Sequence, residues 1–189
     1  MGSELRIPYE DHDGVRELID CCRYALEGIS LAFDRWNEQY VKGPGLYLAV
    51  VTGPSIERFA DPMGRNEWPV DRCRAVCLDL QNFFETAGDV ARSQDGAVVV
   101  SVDGVVQRQM VRFTDLMPGE RDDLAPQRAE YEDWMGSRHM SALDTSRRPN
   151  VVATLTLSEE TGRVSVFENG AMETVERREL GGEWNVEGY

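Results

Sequence analysis

The chain has 189 residues, 41% of them hydrophobic, which is enough to bury one sizeable core and close to the usual size of a single domain spanning 1–189. Its 20 Lys and Arg against 34 Asp and Glu leave a formal net charge of −14, a field that repels nucleic-acid phosphates, so no nucleic-acid partner is expected. No run of about 18 apolar residues occurs, and the N-terminus has neither a basic stretch nor a continuous apolar one, so no membrane association is expected and the location read from the sequence is cytoplasmic.

Lys42 is the only lysine. An acidic, lysine-poor surface suits concentrated salt, where repulsion between carboxylates is screened, and a halophilic origin is expected on that ground. The four cysteines, Cys21, Cys22, Cys73 and Cys77, read as free, buried or inert thiols. Cys73 and Cys77 would share one face of a helix, but no close histidine completes a zinc set.

From Asp13 to about Trp36 the apolar residues Val15, Leu18, Ile19, Cys22, Leu26, Ile29, Phe33 and Trp36 recur at steps of three and four. This predicts an amphipathic helix ending by about residue 38, capped by Asp11 or Asp13 and closed by Lys42-Gly43-Pro44-Gly45. Leu46 to Thr52 reads as a buried strand. Asp61 to Pro69, with two prolines and a glycine, reads as a surface loop that leaves Trp68 available to a subunit interface. A second helix is expected over Leu78 to Ala91, with Phe83 and Phe84 on its core face.

Ala97 to Val102 and Val105 to Phe113 flank Asp103-Gly104 and predict a hairpin. Asp115 to Asp133 is polar and reads as a long connection leading into a turn of helix; connections of that length are often functional. Strands follow at Val151 to Leu157, Val164 to Phe167 and Ala171 to Glu176, separated by a Ser158 to Gly162 turn and by Asn169-Gly170. The residues from Gly181 to Tyr189 have too little apolar content to order themselves. Helices placed before and between strands, with hairpins after Ala97, predict an α/β layered domain with a central mixed sheet flanked by helices.

Three polar segments abut predicted strands or helices: Gln94-Asp95-Gly96-Ala97, Gly136-Ser137-Arg138-His139 and Ser158-Glu159-Glu160-Thr161-Gly162. Such segments offer backbone N–H groups, hydroxyls and a guanidinium to phosphate, and carboxylates to a divalent cation. Each taken alone is also an ordinary turn.

In order and spacing the three together resemble the diadenylate cyclase domain, a family that includes the DNA-integrity scanning proteins and membrane-linked bacterial cyclases. Its pattern is Asp-Gly-Ala, then Gly-Thr-Arg-His-Arg, then Ser-Glu-Glu-Thr-Gly. The likeness runs from about Leu78 to Gly170, roughly half the chain, and is weak before it. It implies one ATP per domain and two domains face to face, each ribose 3′-hydroxyl attacking the other α-phosphate, with cyclic di-AMP and pyrophosphate as products. A homo-oligomer is therefore implied, with Mg²⁺ or Mn²⁺ as cofactor.

By the same resemblance Asp95 and Glu160 would bind the metal, and Asp95, Arg138 and His139 would be catalytic. Gly96, Ala97, Ser137, Arg138, His139, Ser158 and Glu159 would contact ATP. Two departures stand out. Met140 occupies the place of the family's second arginine, removing a charged hydrogen bond worth about 1.5–3 kcal/mol. Gln94 stands where some members carry a metal-ligating histidine. Arg147 and Arg148 are candidates to replace the missing arginine, although a solvated basic pair is the simpler reading. His12 lies in an acidic stretch with no catalytic role expected. At this level an active cyclase, a non-catalytic sensor of ATP or cyclic di-AMP, and an interaction protein with three ordinary turns all remain open.

Overall fold

The apolar run near the middle of the chain forms strand β1 (Leu46–Val51), buried along its whole length. Successive side chains of a strand point to opposite faces, and here both faces are covered. Leu46, Leu48 and Val50 join one apolar cluster, while Tyr47, Ala49 and Val51 join another. The computed structural model describes residues 12–117, 119–120 and 130–181. The Asp11 cap, most of the polar 115–133 connection and the stretch after Gly181 fall outside them.

The other elements are α1 (Asp13–Ala32), β2 (Ala60–Glu67), α2 (Leu80–Ser93), β3 (Ala97–Ser101), β4 (Gln109–Phe113), α3 (Ser137–Ser146), β5 (Val151–Leu157), β6 (Val164–Glu168) and β7 (Ala171–Val175). The strands make one seven-stranded sheet in the order β2-β4-β3-β1-β5-β6-β7. Only β1 and β3 run parallel; the remaining neighbours are antiparallel. Helices α1 and α2 pack on the first cluster, and Ala142 and Leu143 of α3 on the second. This is the α/β layered architecture, a mixed sheet flanked by helices. Among the described residues no helix is long and apolar enough to cross a membrane.

Several boundaries differ from the sequence reading, each for a local reason. Helix α1 ends at Ala32 rather than near Trp36, because Trp36 turns back on it. The indole donates to the Ser30 carbonyl at 3.0 Å and meets the Phe33 ring edge-on at 4.7 Å. The N-cap of α1 is His12, and Asp13 is its first helical residue. Helix α2 begins at Leu80, since the Asp79 carboxylate accepts the Asn82 N–H at 3.0 Å and fixes the cap there. Leu78 is thereby left 91% exposed.

The stretch read as a loop at Asp61 to Pro69 is mostly an edge strand, β2. It tolerates Pro62 because a strand at the border of a sheet has one side unpaired, and its register against β4 shifts between Pro62 and Glu67. The hairpin at Asp103-Gly104 turns as expected, with the Asp103 carboxylate accepting from Val105 N–H at 3.2 Å. Its second strand starts only at Gln109: before it, Val105 makes an isolated bridge to Ala75 and Val106 one to Val100, with the Val106 N–H donating to the Arg74 carbonyl. The strands β5, β6 and β7 lie within a residue of where the sequence placed them, and Asn169 and Gly170 both take the positive φ that joins β6 to β7. Cys22 and Cys73 are buried, Cys21 is half-buried, and Cys77 is exposed on a loop rather than helical.

Trp68 is not available to a partner. It is 0% exposed, donates its indole N–H to the Cys73 carbonyl at 2.7 Å and lies 5.4 Å from the Phe83 ring. Trp68→Ala should therefore lower unfolding stability by about 3–5 kcal/mol in a urea titration, whereas Leu78→Ala should stay within about 0.5 kcal/mol.

Candidate functional site

Both faces of the sheet are covered by helices, so the open concavity lies at one end of it, where β1 and β3 begin and β4 and β5 finish. A groove of about 1200 Å³ runs there, lined by all three polar segments singled out in the sequence together with residues 42–45. Asp95, Gly96, Ala97, Ser137, Arg138, His139, Ser158, Glu159 and Glu160 all border it.

Arg138 stands at its centre. One guanidinium nitrogen is 3.6 Å from an Asp95 carboxylate oxygen, and the other is 3.9 Å from Glu159. On its far side Glu159 accepts from Lys42 Nζ at 3.0 Å. Lys42, Glu159, Arg138 and Asp95 thus form a row of alternating charge. Gly45 makes the row fit: a Cβ there would run into the Arg138 guanidinium and the Glu159 side chain.

Asp95 follows the last turn of α2 and precedes β3. Its Oδ1 accepts the Gly96 N–H at 2.9 Å, and its own N–H donates to Asn66 Oδ1 at 3.4 Å. Gly96 sits at φ +99°, with Met63 and the Val111 carbonyl too close to admit a side chain. Packing against β2 and β4 therefore already demands this glycine. Met63 and Asn66 were hidden from sequence reasoning inside an apparent loop.

Helix α3 points its first turn at the groove. Gly136 is the N-cap and supplies no side-chain cap, so the N-terminal partial positive charge faces a concavity suited to an anion. Ser137 and Arg138 border the groove on that turn, while His139 turns inward and is 6% exposed. Its ring meets Trp134 edge-on at 5.1 Å, and the Arg163 guanidinium lies 4.3 Å over the same indole. Burial first, then Arg138 and Arg163, hold the imidazole well below its ordinary value, at about 4. His139 is therefore neutral at physiological pH, with a buried Nε2 that has no hydrogen-bond partner among the described residues. It adds a hydrogen-bonding group to the groove rather than a charge.

The turn after β5 is held by Ser158, whose Oγ accepts from the Glu160 and Thr161 N–H groups at 3.3 Å each. This presents Glu159 to Lys42 and Arg138 and leaves Glu160 exposed. Among the described residues no three His, Cys, Asp or Glu side chains converge as a ready-made metal cage. An exposed Asp95 with Glu159 and Glu160 on the same groove wall nevertheless suits Mg²⁺ or Mn²⁺, hard cations commonly held by one or two carboxylates and completed by phosphate and water.

Met140 is half-buried and packs against the second apolar cluster. Neither Arg147 nor Arg148 borders the groove, so neither replaces the missing arginine. They are not a solvated pair either, being 9% and 4% exposed. Arg148 stacks 4.1 Å over Phe59 and donates to the Thr114 carbonyl at 2.9 Å, tethering the segment after β4.

The depressed value of His139 has a consequence for stability. Between its ordinary 6.5 and about 4 the unfolded chain binds more protons than the folded one, so stability present above that window is lost as pH falls through it, by on the order of a few kcal/mol. Melting temperatures followed from pH 7 to pH 4 should decline, and His139→Gln should flatten that part of the decline.

The DAC family model, described as DisA bacterial checkpoint controller nucleotide-binding, matches residues 78–172, just over half of the chain. Among solved structures, the hypothetical membrane spanning protein from Bacillus cereus is similar in fold, at 20% identity and a TM-score of 0.50. That alignment covers 85% of this chain and 64% of the other, so the chain spans less than two thirds of that relative. A double mutant of DacA from Staphylococcus aureus aligns at 15% identity and a TM-score of 0.46, over 86% of this chain and 89% of that one. No curated protein matches the sequence. The segment from Leu78 to Met172 carries Asp95, Arg138 and Glu159 on one groove, and by that match the chain belongs to the DAC family of DisA-like nucleotide-binding domains.

Proposed function

We infer that this protein is a diadenylate cyclase that binds ATP in the groove at the sheet end and joins two ATP molecules into cyclic di-AMP. The observation that carries this reading is the Asp95–Arg138–Glu159 row, which sets a guanidinium between two carboxylates at the uncapped start of α3. A triphosphate needs the guanidinium and the helix N–H groups, and a hard cation accompanying it needs the carboxylates.

In the reaction the 3′-hydroxyl oxygen of one nucleotide bonds to the α-phosphorus of the other, and the bond from that phosphorus to its β-bridging oxygen breaks. Pyrophosphate departs with the electron pair. Repetition in the opposite sense closes the ring. A bound Mg²⁺ or Mn²⁺ supplies charge neutralisation at the phosphates and makes the hydroxyl more acidic. Asp95 orients that hydroxyl and accepts its proton or relays it. Arg138 neutralises charge on the α-phosphate in a fixed, planar geometry. His139, neutral and with Nε2 unpartnered, orients a hydroxyl or phosphate oxygen by hydrogen bonding. Ser137 adds a hydroxyl at the helix start. Gly96 and Ala97 keep that wall of the groove small. Ser158 holds the turn that presents Glu159, and Glu160 is available to the cation.

One groove holds one nucleotide, so two copies meet groove to groove and the working form is a homo-oligomer acting on cytoplasmic ATP. A second reading has its own support. Met140 packs into the apolar cluster, and neither Arg147 nor Arg148 borders the groove in its place, which favours a sensor that binds ATP or cyclic di-AMP without turnover.

Incubation with ATP and either Mn²⁺ or Mg²⁺, in low and high KCl, separates the two when products are read by mass spectrometry. The cyclase reading expects cyclic di-AMP from the wild type and a rate lower by about a hundredfold or more in Asp95→Asn. Binding of ATP with no product in any salt would establish the sensor instead.

A further inference from the structure

The only lysine of the chain lies in the groove. Of the 20 Lys and Arg, all but this one are arginine, yet the one ammonium sits among the residues that border the nucleotide-sized concavity. Its segment is firmly seated. The Gly43 N–H donates to the Glu159 carbonyl at 2.8 Å and the Gly45 N–H to the Ala91 carbonyl at 3.0 Å. Gly43 has the Trp36 ring against it, and Gly45 has the Arg138 guanidinium against it. The backbone at Lys42 is thereby fixed on the groove wall while its side chain stays 75% exposed.

Lys42 holds one end of the charged row and Asp95 the other. Lys42 Nζ is 3.0 Å from one oxygen of Glu159, whose second oxygen is 3.9 Å from Arg138, which in turn is 3.6 Å from Asp95. If Asp95 and Arg138 mark the reacting α-phosphate, the row continues along the triphosphate, and its far cation meets the phosphates that leave. An exposed lysine–carboxylate pair is weak, and an ammonium on a flexible four-carbon stem can exchange one oxyanion for another without moving the backbone. Arg138, pinned against Gly45, has no such freedom.

We propose that Lys42 is a substrate-binding residue that takes the terminal phosphates of the bound nucleoside triphosphate, giving up Glu159 to do so, and holds the pyrophosphate as it departs. The assignment rests on the reading of the groove as a triphosphate site. Glu159 keeps the ammonium oriented while the groove is empty of nucleotide, and once released it is available to a cation beside the phosphates.

Calorimetric titration of wild type, Lys42→Gln and Lys42→Arg with ATP and with AMP, each with Mg²⁺, tests this. Lys42→Gln should weaken ATP about tenfold, leave AMP and the melting temperature unchanged, and be largely rescued in Lys42→Arg. Equal losses for ATP and AMP, or no loss for ATP, would overturn the assignment while leaving the ATP site standing. Wild-type protein that binds neither nucleotide would remove the reading of the groove itself. A second measurement needs no variant, because an amine-reactive ester has a single side-chain target in this chain. ATP should slow acylation of Lys42, read by peptide mass spectrometry, and AMP should not; equal labelling with and without ATP would also overturn the proposal.

Discussion

Strand β1 has no face to spare. Six consecutive residues are buried, three feeding the core beneath α1 and α2 and three the core beneath α3. A strand buried on both sides obliges the sheet to be covered on both sides. It also removes either sheet face as a place for an open groove. The concavity that remains is at the sheet end, where turns and helix termini bring unpaired N–H groups and charged side chains together. Placement of the candidate site thus follows from the burial of a strand that carries no charged residue.

At that end the electrostatic problem is set by the whole chain. A net charge of −14 works against holding a polyanionic nucleotide, so any such site must concentrate cations locally. Arg138, Lys42 and the first turn of α3 provide them, and Glu159 and Asp95 keep them oriented. His139 contributes differently. Its burial beside two arginines favours the neutral ring, which makes the imidazole a directional hydrogen-bonding group rather than a cation. The same crowding accounts for Met140. An apolar side chain continues the packing of α3 onto the second core, and the charge lost there is not restored by Arg147 or Arg148, which fill the opposite end of the helix.

Legibility varied with how local the cause was. The strands at β5 to β7 were readable because short apolar runs, Asn169-Gly170 and the Ser158 turn are decided within a few residues. Helix α1 was readable in existence but not in length: Phe33 and Trp36 keep the helical spacing, yet they pack on each other, and Trp36 on Gly43 and Gly162, after the helix has ended. Strand β2 was unreadable, because Pro62 and Gly64 argue against a strand and only the presence of β4 alongside makes an edge of it. Trp68 could not be placed from the sequence for the same kind of reason. It sits between Glu67 and Pro69 in a stretch with no helical or strand period, and its neighbours in space, Phe83 and the Cys73 carbonyl, come from further along the chain.

For the site, the sequence alone determined which residue types were on offer and in what order: an aspartate before a strand, an arginine and a histidine at a helix start, and two glutamates in a turn. Those are properties of short segments, where turn chemistry and helix capping act over three or four residues. Only the tertiary structure decided that these segments share one groove, that Glu159 rather than Glu160 meets Arg138, and that the single lysine completes the row from a connection nearly a hundred residues upstream of Arg138. Those contacts depend on the strand order β4-β3-β1-β5, which joins residues far apart along the chain because a doubly covered sheet must find pairing partners for every one of its inner strands.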